Sequence, residues 1–222
     1  MIVESMLTGM KQNGRKASAA KPESSPTVSP VEELLKALDA GEASVKLAAS
    51  RRLRALSQAY PELLYPFFDR LANLLDGDNN FLRWDAMRTL ANLASVDCER
   101  KLDSLLDRFL HPIAGPQMIW AANAITACGN IALAKPYLAD RMASAVLEVQ
   151  AAQYRTVECR HIAAGPAITA LGRFIHLVAN PKPYIDFASE QLTNPRPAMR
   201  KKAAKFLARM SSDSPRKRGH AV

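Results

Sequence analysis

One pattern recurs five times along this 222-residue chain and limits what it can fold into: A-x-x-x-[LI]-x-x-[LCM]-[AGS]. The copies are Ala49/Leu53/Leu56/Ser57, Ala86/Leu90/Leu93/Ala94, Ala121/Ile125/Cys128/Gly129, Ala164/Ile168/Leu171/Gly172 and Ala203/Leu207/Met210/Ser211. Successive alanines are 37, 35, 43 and 39 residues apart. Positions 0, +4 and +7 fall within about 60° of one another on an α-helix, so each copy makes one apolar stripe. Small residues at 0 and +8 let a neighbouring helix come close. A second apolar helix precedes each copy: VEELLKALD from 31, PFFDRLANLL from 66, KLDSLLDRFL from 101, YLADRMASAVLEV from 137 and YIDFASEQL from 184. Each unit is therefore a helical hairpin that cannot bury its apolar face alone. Stacking five of them makes a continuous core.

Punctuation supports this division. Gly41, Pro61, Asp76-Gly77, Gly115-Pro116, Pro136, Pro181 with Pro183, and Asn194-Pro195 mark breaks between helices of about 10 to 20 residues. No segment alternates polar and apolar residues as a strand would, and nine glycines are few for a sandwich needing a turn every ten residues or so. Residues 1–28 lack apolar periodicity and end in PESSPTVSP, which predicts a disordered leader. Ser29 is predicted as an N-cap, with Pro30 in the first helical position and Glu32 as the capping-box acid. The repeat domain then spans about residues 29–211, and residues 212–222 read as a basic disordered tail. Pro166 is expected to kink or break the fourth repeat's second helix, because it lacks the N–H for the Ile162 carbonyl.

The repeat resembles the HEAT/armadillo-like α-solenoid family, whose second helix carries V-R-x-x-A-x-x-x-L-g. The matching residues are Val45-Lys46 before Ala49, Leu82-Arg83 before Ala86, Arg160-His161 before Ala164 and Met199-Arg200 before Ala203. The third copy departs from the signature with Gln117-Met118. The resemblance covers about residues 29–211, and the ~34-residue period and W-x-x-L-G signature of tetratricopeptide repeats are absent. It implies an all-α fold, a right-handed α-α superhelix (solenoid) of about five helical hairpins. It also implies that the basic column of Lys46, Arg83, His161 and Arg200 joins acidic turn residues, for which Glu42 and Asp78 are the candidates. The second helices of this family line a concave surface where extended partners bind. Positions opposite the buried stripe hold Arg51, Arg54, Trp84, Arg88 and Asn123, with Ile119, Ile162, Thr126, Thr169 and Arg173 beside them. Trp and Arg are the residue types that anchor interfaces. Residues two before each alanine either meet a partner or pack between repeats, and the sequence leaves both readings open.

No motif supports catalysis: CxxC, HExxH, GxSxG, the P-loop and a GxGxxG after a strand are all missing. Cys159 and His161 sit at i and i+2, which diverge on a helix, so a catalytic dyad is not expected there. Cys128 and Cys159 read as small hydrophobes. Neither a metal nor a cofactor is expected. Three cysteines cannot all pair, which favours a reducing, cytoplasmic setting. No apolar run reaches the ~18 residues of a membrane span, and the N-terminus does not read as a signal peptide.

The net charge of +9 is concentrated at one end. Residues 195–222 hold nine Lys and Arg against the single Asp213. Lys201, Lys202, Lys205 and Arg209 are the candidate phosphate contacts, supplemented by Arg216, Lys217 and Arg218. Terminal repeats also need a polar outer face, and charge runs are often solvated. The leading reading is a non-enzymatic protein-interaction scaffold or adaptor that binds a protein partner on its concave face. The alternative is a nucleic-acid-associated protein of the same architecture, binding weakly and without sequence preference. HEAT-like DNA glycosylases and bilin-lyase-like subunits fit less well.

Overall fold

The computed structural model describes residues 28–213. The expected leader lies outside the described residues, as do Arg216, Lys217 and Arg218 of the basic tail. Among the described residues every regular element is helical, and the helices form ten arms of five hairpins. The first hairpin pairs α1 (Val28–Ala40) with α2 (Ala43–Ala59). In the second, α3 (Pro61–Leu64) and α4 (Phe68–Asn73) form the first arm and α5 (Asn80–Asn92) the second. In the third, α6 (Leu106–Leu110) is the α-helical part of the first arm and α7 (Met118–Ala134) is the second. The fourth joins α8 (Ala139–Leu147) to α9 (Val157–Phe174), and the fifth joins α10 (Lys182–Glu190) to α11 (Pro197–Asp213).

The second arms are unbroken α-helices, and so is α1, whereas the other first arms are short or patched with 3₁₀ turns. At two places the cause is local. Pro66 and Pro112 each remove an N–H that an α-helix would direct to the carbonyl four residues back. The chain tightens there into 3₁₀ turns at Tyr65–Phe67 and His111–Ala114. The breaks fall at the Gly and Pro positions read from the sequence, with two additions, at 96–100 and at 151–156, neither of which carries Gly or Pro. The loop at 151–156 accounts for the longest step between alanines. It is held by the Gln153 amide, which donates to the Ala114 carbonyl at 3.0 Å, and by the buried Tyr154 hydroxyl, which donates to the Ile113 carbonyl at 2.7 Å. Gly115, at φ 109°, lies where a Cβ would be 2.9 Å from the Gln153 carbonyl oxygen. Only glycine accepts both constraints.

Two expectations are corrected. Helix α1 begins at Val28, so Ser29 lies inside its first turn rather than at its N-cap. Helix α9 runs from Val157 to Phe174 as one α-helix with Pro166 inside it, so the chain does not break there. Its residues Ala163, Ala164, Gly165, Ala167, Ile168, Ala170, Leu171 and Phe174 are buried. Burial over so much of the helix circumference outweighs the ~3 kcal/mol that an internal proline costs.

The five stripe alanines, Ala49, Ala86, Ala121, Ala164 and Ala203, are all buried. Each second arm packs on the next in chain order, α2 on α5, α5 on α7, α7 on α9 and α9 on α11. Every substantial contact lies within one hairpin or between consecutive hairpins. The core is therefore a row that runs the length of the described chain.

Between the second and third hairpins sits a buried polar node. The Asp97 carboxylate accepts from the Tyr65 hydroxyl and the Lys101 amide, both at 2.8 Å, and from the Leu102 amide at 3.0 Å. It pairs with Lys135 at 3.1 Å, and both side chains are nearly sealed from solvent. Burial alone would raise the Asp97 pKa, but the hydrogen bonds from Leu102, Tyr65, Lys135 and Lys101 win and hold it below the usual carboxylate value. Burial would likewise lower Lys135, yet Asp97 and Tyr137 keep it above the ordinary lysine value. The Tyr65 hydroxyl is pushed up to about 12, by burial first and then by Asp97. This node ties the second, third and fourth hairpins together.

Candidate interaction surface

The joints between second arms determine which side chains remain for a partner. Ser50 donates to Asp85 at 2.8 Å and Arg54 pairs with the same carboxylate at 2.5 Å, which fastens α2 to α5. A polar ladder then crosses the whole row. Asn92 donates to Ser57 at 2.9 Å, Asn130 to Asn92 at 2.7 Å, and Arg173 to Asn130 at 2.8 Å. Beyond it Arg209 donates to the Gly172 carbonyl. At Gly165 a Cβ would lie 2.5 Å from Met199 Sδ, so the glycine makes the room into which Met199 nests.

Five side chains were read from the sequence as partner contacts, and the structure separates them. Arg51 is exposed on α2. Arg54 is committed to Asp85 and acts as a brace between helices. Arg88 is half-buried and makes no hydrogen bond or ion pair among the described residues. Burial, followed by repulsion from Arg54, lowers its pKa, and Asp85 offsets part of that. Asn123 spends its amide on its own helix, donating to the Ile119 carbonyl at 2.9 Å.

Trp84 is only partly exposed, and it both packs on the core and borders the surface. Its ring lies edge to face with Phe81 at 5.0 Å and with Trp120 at 6.2 Å between centroids. Its indole N–H is buried without an acceptor among the described residues. Sequence phase leaves Trp84 either a partner contact or a packing residue between repeats. The structure gives it a packing role at the edge of the surface, so its truncation would disturb the core.

Sequence phase picked out Ile119 on this face but missed Phe81. Phe81 is 56% exposed and Ile119 is 52% exposed, in the first turns of α5 and α7. Beside Ile119 a hollow of about 230 Å³ is lined by Pro116, Gln117, Met118, Ile119, Arg155 and Cys159. Phe81 lies five residues before its alanine, outside the positions taken as the face, so the repeat phase did not pick it out.

The basic end divides as well. Lys201 and Lys205 are exposed with no partner among the described residues. Lys202 reaches the Thr169 hydroxyl at 3.4 Å, and Arg209 is held by Gly172. Two of the four candidate phosphate contacts are thus engaged in the α9–α11 joint.

The basic column behaves differently from what the resemblance implies. Arg83 donates to the Leu75 carbonyl at 2.8 Å and lies 4.1 Å over the Trp120 ring. Arg200 donates to the carbonyls of Asn194 and Pro195 at 2.9 and 3.0 Å. Neither meets Asp78 or Glu42. The turns leave carbonyls unpaired, and a long guanidinium satisfies them more directly than it reaches a solvated carboxylate. The acid–base ladder lies instead on the first arms. Arg70 pairs with Asp39, Arg108 with Asp76 at 2.5 Å, and Arg141 with Asp107 at 2.7 Å. Its signal was readable as the recurring Asp-Arg pairs at 69–70, 107–108 and 140–141.

The chemistry of the remaining reactive groups is quiet. Cys128 is fully buried and burial pushes its thiol up to about 12, as for a small hydrophobe. His161 Nδ1 faces Glu158 at 3.5 Å rather than bonding Cys159, and Arg196 holds Glu158 below the usual carboxylate value. Among the described residues no three His, Cys, Asp or Glu side chains converge as metal ligands do. No described helix is long and apolar enough to cross a membrane. Comparison with known proteins finds no matching family model and no curated protein of similar sequence.

Proposed function

We propose that this chain is a HEAT/armadillo-like solenoid, a right-handed superhelix of five hairpins, that serves as a non-enzymatic scaffold or adaptor in a reducing, cytoplasmic setting. The observation that carries the reading is the pairing of an open apolar patch, Phe81 and Ile119, with the uncommitted Arg88 on the second arms. Monomeric proteins seldom leave aromatic and aliphatic side chains so open without a use. The ordered stacking of second arms supports the architecture, because it gives each of α5, α7 and α9 a neighbour on both sides.

The test is photocross-linking from the full chain, with a benzophenone amino acid at Ile119 and, separately, at the exposed Lys36 of α1. The reading expects a protein adduct from position 119 that survives nuclease and is absent from position 36. An adduct lost on nuclease treatment would favour the second reading, nucleic-acid association, for which Lys201 and Lys205 are the supporting residues. With those two lysines as the free phosphate contacts among the described residues, duplex DNA affinity should fall with salt at a log–log slope of about −2. A slope near −4 would require the engaged Lys202 and Arg209 to join them.

A further inference from the structure

We infer that the free face of α5 and α7 takes an extended protein segment that alternates apolar residues and carboxylates at every second position, so that both kinds lie on one face of it. The apolar side chain covers Phe81 and Ile119, and the carboxylate two residues on meets Arg88. This rests on the scaffold reading and specifies its partner's chemistry.

The charge on this face is one-sided. Arg54 and Arg88 lie beside the single carboxylate of Asp85, which is buried and already bonded to Ser50 and Arg54, and Arg51 is exposed on α2. Arg88 is left beside a second guanidinium with no anion of its own, which is the setting an incoming carboxylate relieves. Lys201 and Lys205 sit at the same helical phase on α11 and carry the positive potential to the far end of the row. A positive face of this kind speeds encounter with acidic chains.

Spacing gives the pattern. Trp84, which supports Phe81, and Arg88 are four residues apart on α5, so their side chains start about 6 Å from each other. An extended chain repeats on one face every two residues, at about 6.6 Å.

The aromatic cluster argues for a protein segment over a nucleic-acid strand. Its three rings pack edge to face on one another, and Arg83 already covers the Trp120 ring. The hollow beside Ile119 is lined by Pro116, Gln117, Met118, Arg155 and Cys159, an apolar wall with one cation, which suits an aliphatic and acidic segment. Parallel stacking platforms, which single strands need, are not formed there.

The experiment uses the full chain and fluorescence anisotropy. The probe is a fluorescein-labelled peptide of three Leu-Ser-Glu-Ser repeats between Gly-Ser ends, the Leu-Glu peptide. Companion peptides replace every Glu by Lys or every Leu by Ser, and a dT20 oligonucleotide serves as competitor. The Leu-Glu peptide should bind at least tenfold more tightly than either companion, and its affinity should fall as salt rises. Arg88→Ala should weaken it at least fivefold, Phe81→Ser and Ile119→Ser each about threefold, and Lys36→Ala not at all. Melting curves of each variant separate lost binding from lost folding, and Arg88→Lys should restore part of the affinity. Equal binding of the Lys peptide, displacement by dT20 at lower concentration than by unlabelled Leu-Glu peptide, or an unaffected Arg88→Ala variant would each overturn the inference. A nuclease-resistant adduct from position 119 with no Leu-Glu binding would sink this inference alone. No adduct from position 119 would remove the scaffold reading beneath it.

Discussion

The joint between α2 and α5 and the joint between α7 and α9 serve the same purpose with a different balance of chemistry. The first is fastened by several hydrogen bonds and a buried charge, through Ser50 and Arg54 on Asp85 and through Asn92 on Ser57. The second has one such bond, Arg173 to Asn130, and otherwise depends on small residues: Gly129 of α7 lies against Arg173 and Ala170 of α9, and Ala163 and Ala167 are buried. Polar fastening specifies direction and tolerates some looseness in shape. Small apolar residues specify distance and tolerate almost none. One repeat period can therefore be kept by two different physical devices, and the two should fail differently.

The comparison can be pressed hardest at the buried polar node, where polar fastening is deepest. Asp97→Ala leaves Lys135 buried without its partner and should cost about 3–5 kcal/mol. For a domain of this size that lowers Tm by roughly 2–4 °C per kcal/mol, read by thermal and urea melts. A loss under 1 kcal/mol would mean that polar groups contribute little to this fold even when sealed from water. Next comes the apolar joint. Ala167→Leu should overpack it and cost about 1–3 kcal/mol, whereas Ala55→Leu on the exposed side of α2 should stay within about 0.5 kcal/mol. Equal effects at the two sites would remove the distinction.

Smaller effects sharpen it. Asp85→Ala strands Ser50 and Arg54 and should cost about 1–3 kcal/mol, while Asp85→Asn keeps a hydrogen-bond acceptor and should cost less. A double-mutant cycle with Arg54→Ala reports how much of that is the pair itself. The smallest effect is in pH. The Asp97 pKa is depressed in the folded chain, so its contribution is complete above the unfolded value near 3.8 and is lost as pH falls through the lower folded value. The Tyr65 pKa is raised from 10.0 to about 12, so its contribution is complete below pH 10 and is lost as pH rises toward 12. Tyr65→Phe should flatten the alkaline limb of the stability curve and also shrink the acid limb, because it removes one of the hydrogen bonds that hold the Asp97 pKa down.

Most of the fold was legible because it depends on periodicity. Ala49, Ala86, Ala121, Ala164 and Ala203 repeat in phase, and a helical stripe at that spacing has one way to be buried. Contacts that depend on which of several acceptors a flexible side chain chooses were less legible. Arg83 and Arg200 chose turn carbonyls over carboxylates. The continuity of α9 through Pro166 was hidden for another reason, since local chemistry opposes it and only neighbouring helices impose it. Of the surface, phase found Arg88 and Ile119 but not Phe81, which belongs to the first turn of α5 rather than to the repeat's register.

Because every substantial contact joins sequence neighbours, the molecule is mechanically a short row of coupled links rather than a closed body. Loss of one hairpin costs its two interfaces and leaves the others standing. Opening should therefore propagate inward from an end, and amide exchange should be slowest in α7 and α9 and quicken toward α1 and α11. A lesion in α7 would divide the row into two parts with no third route between them. Any signal passed from one end of the binding face to the other would have to cross that same helix.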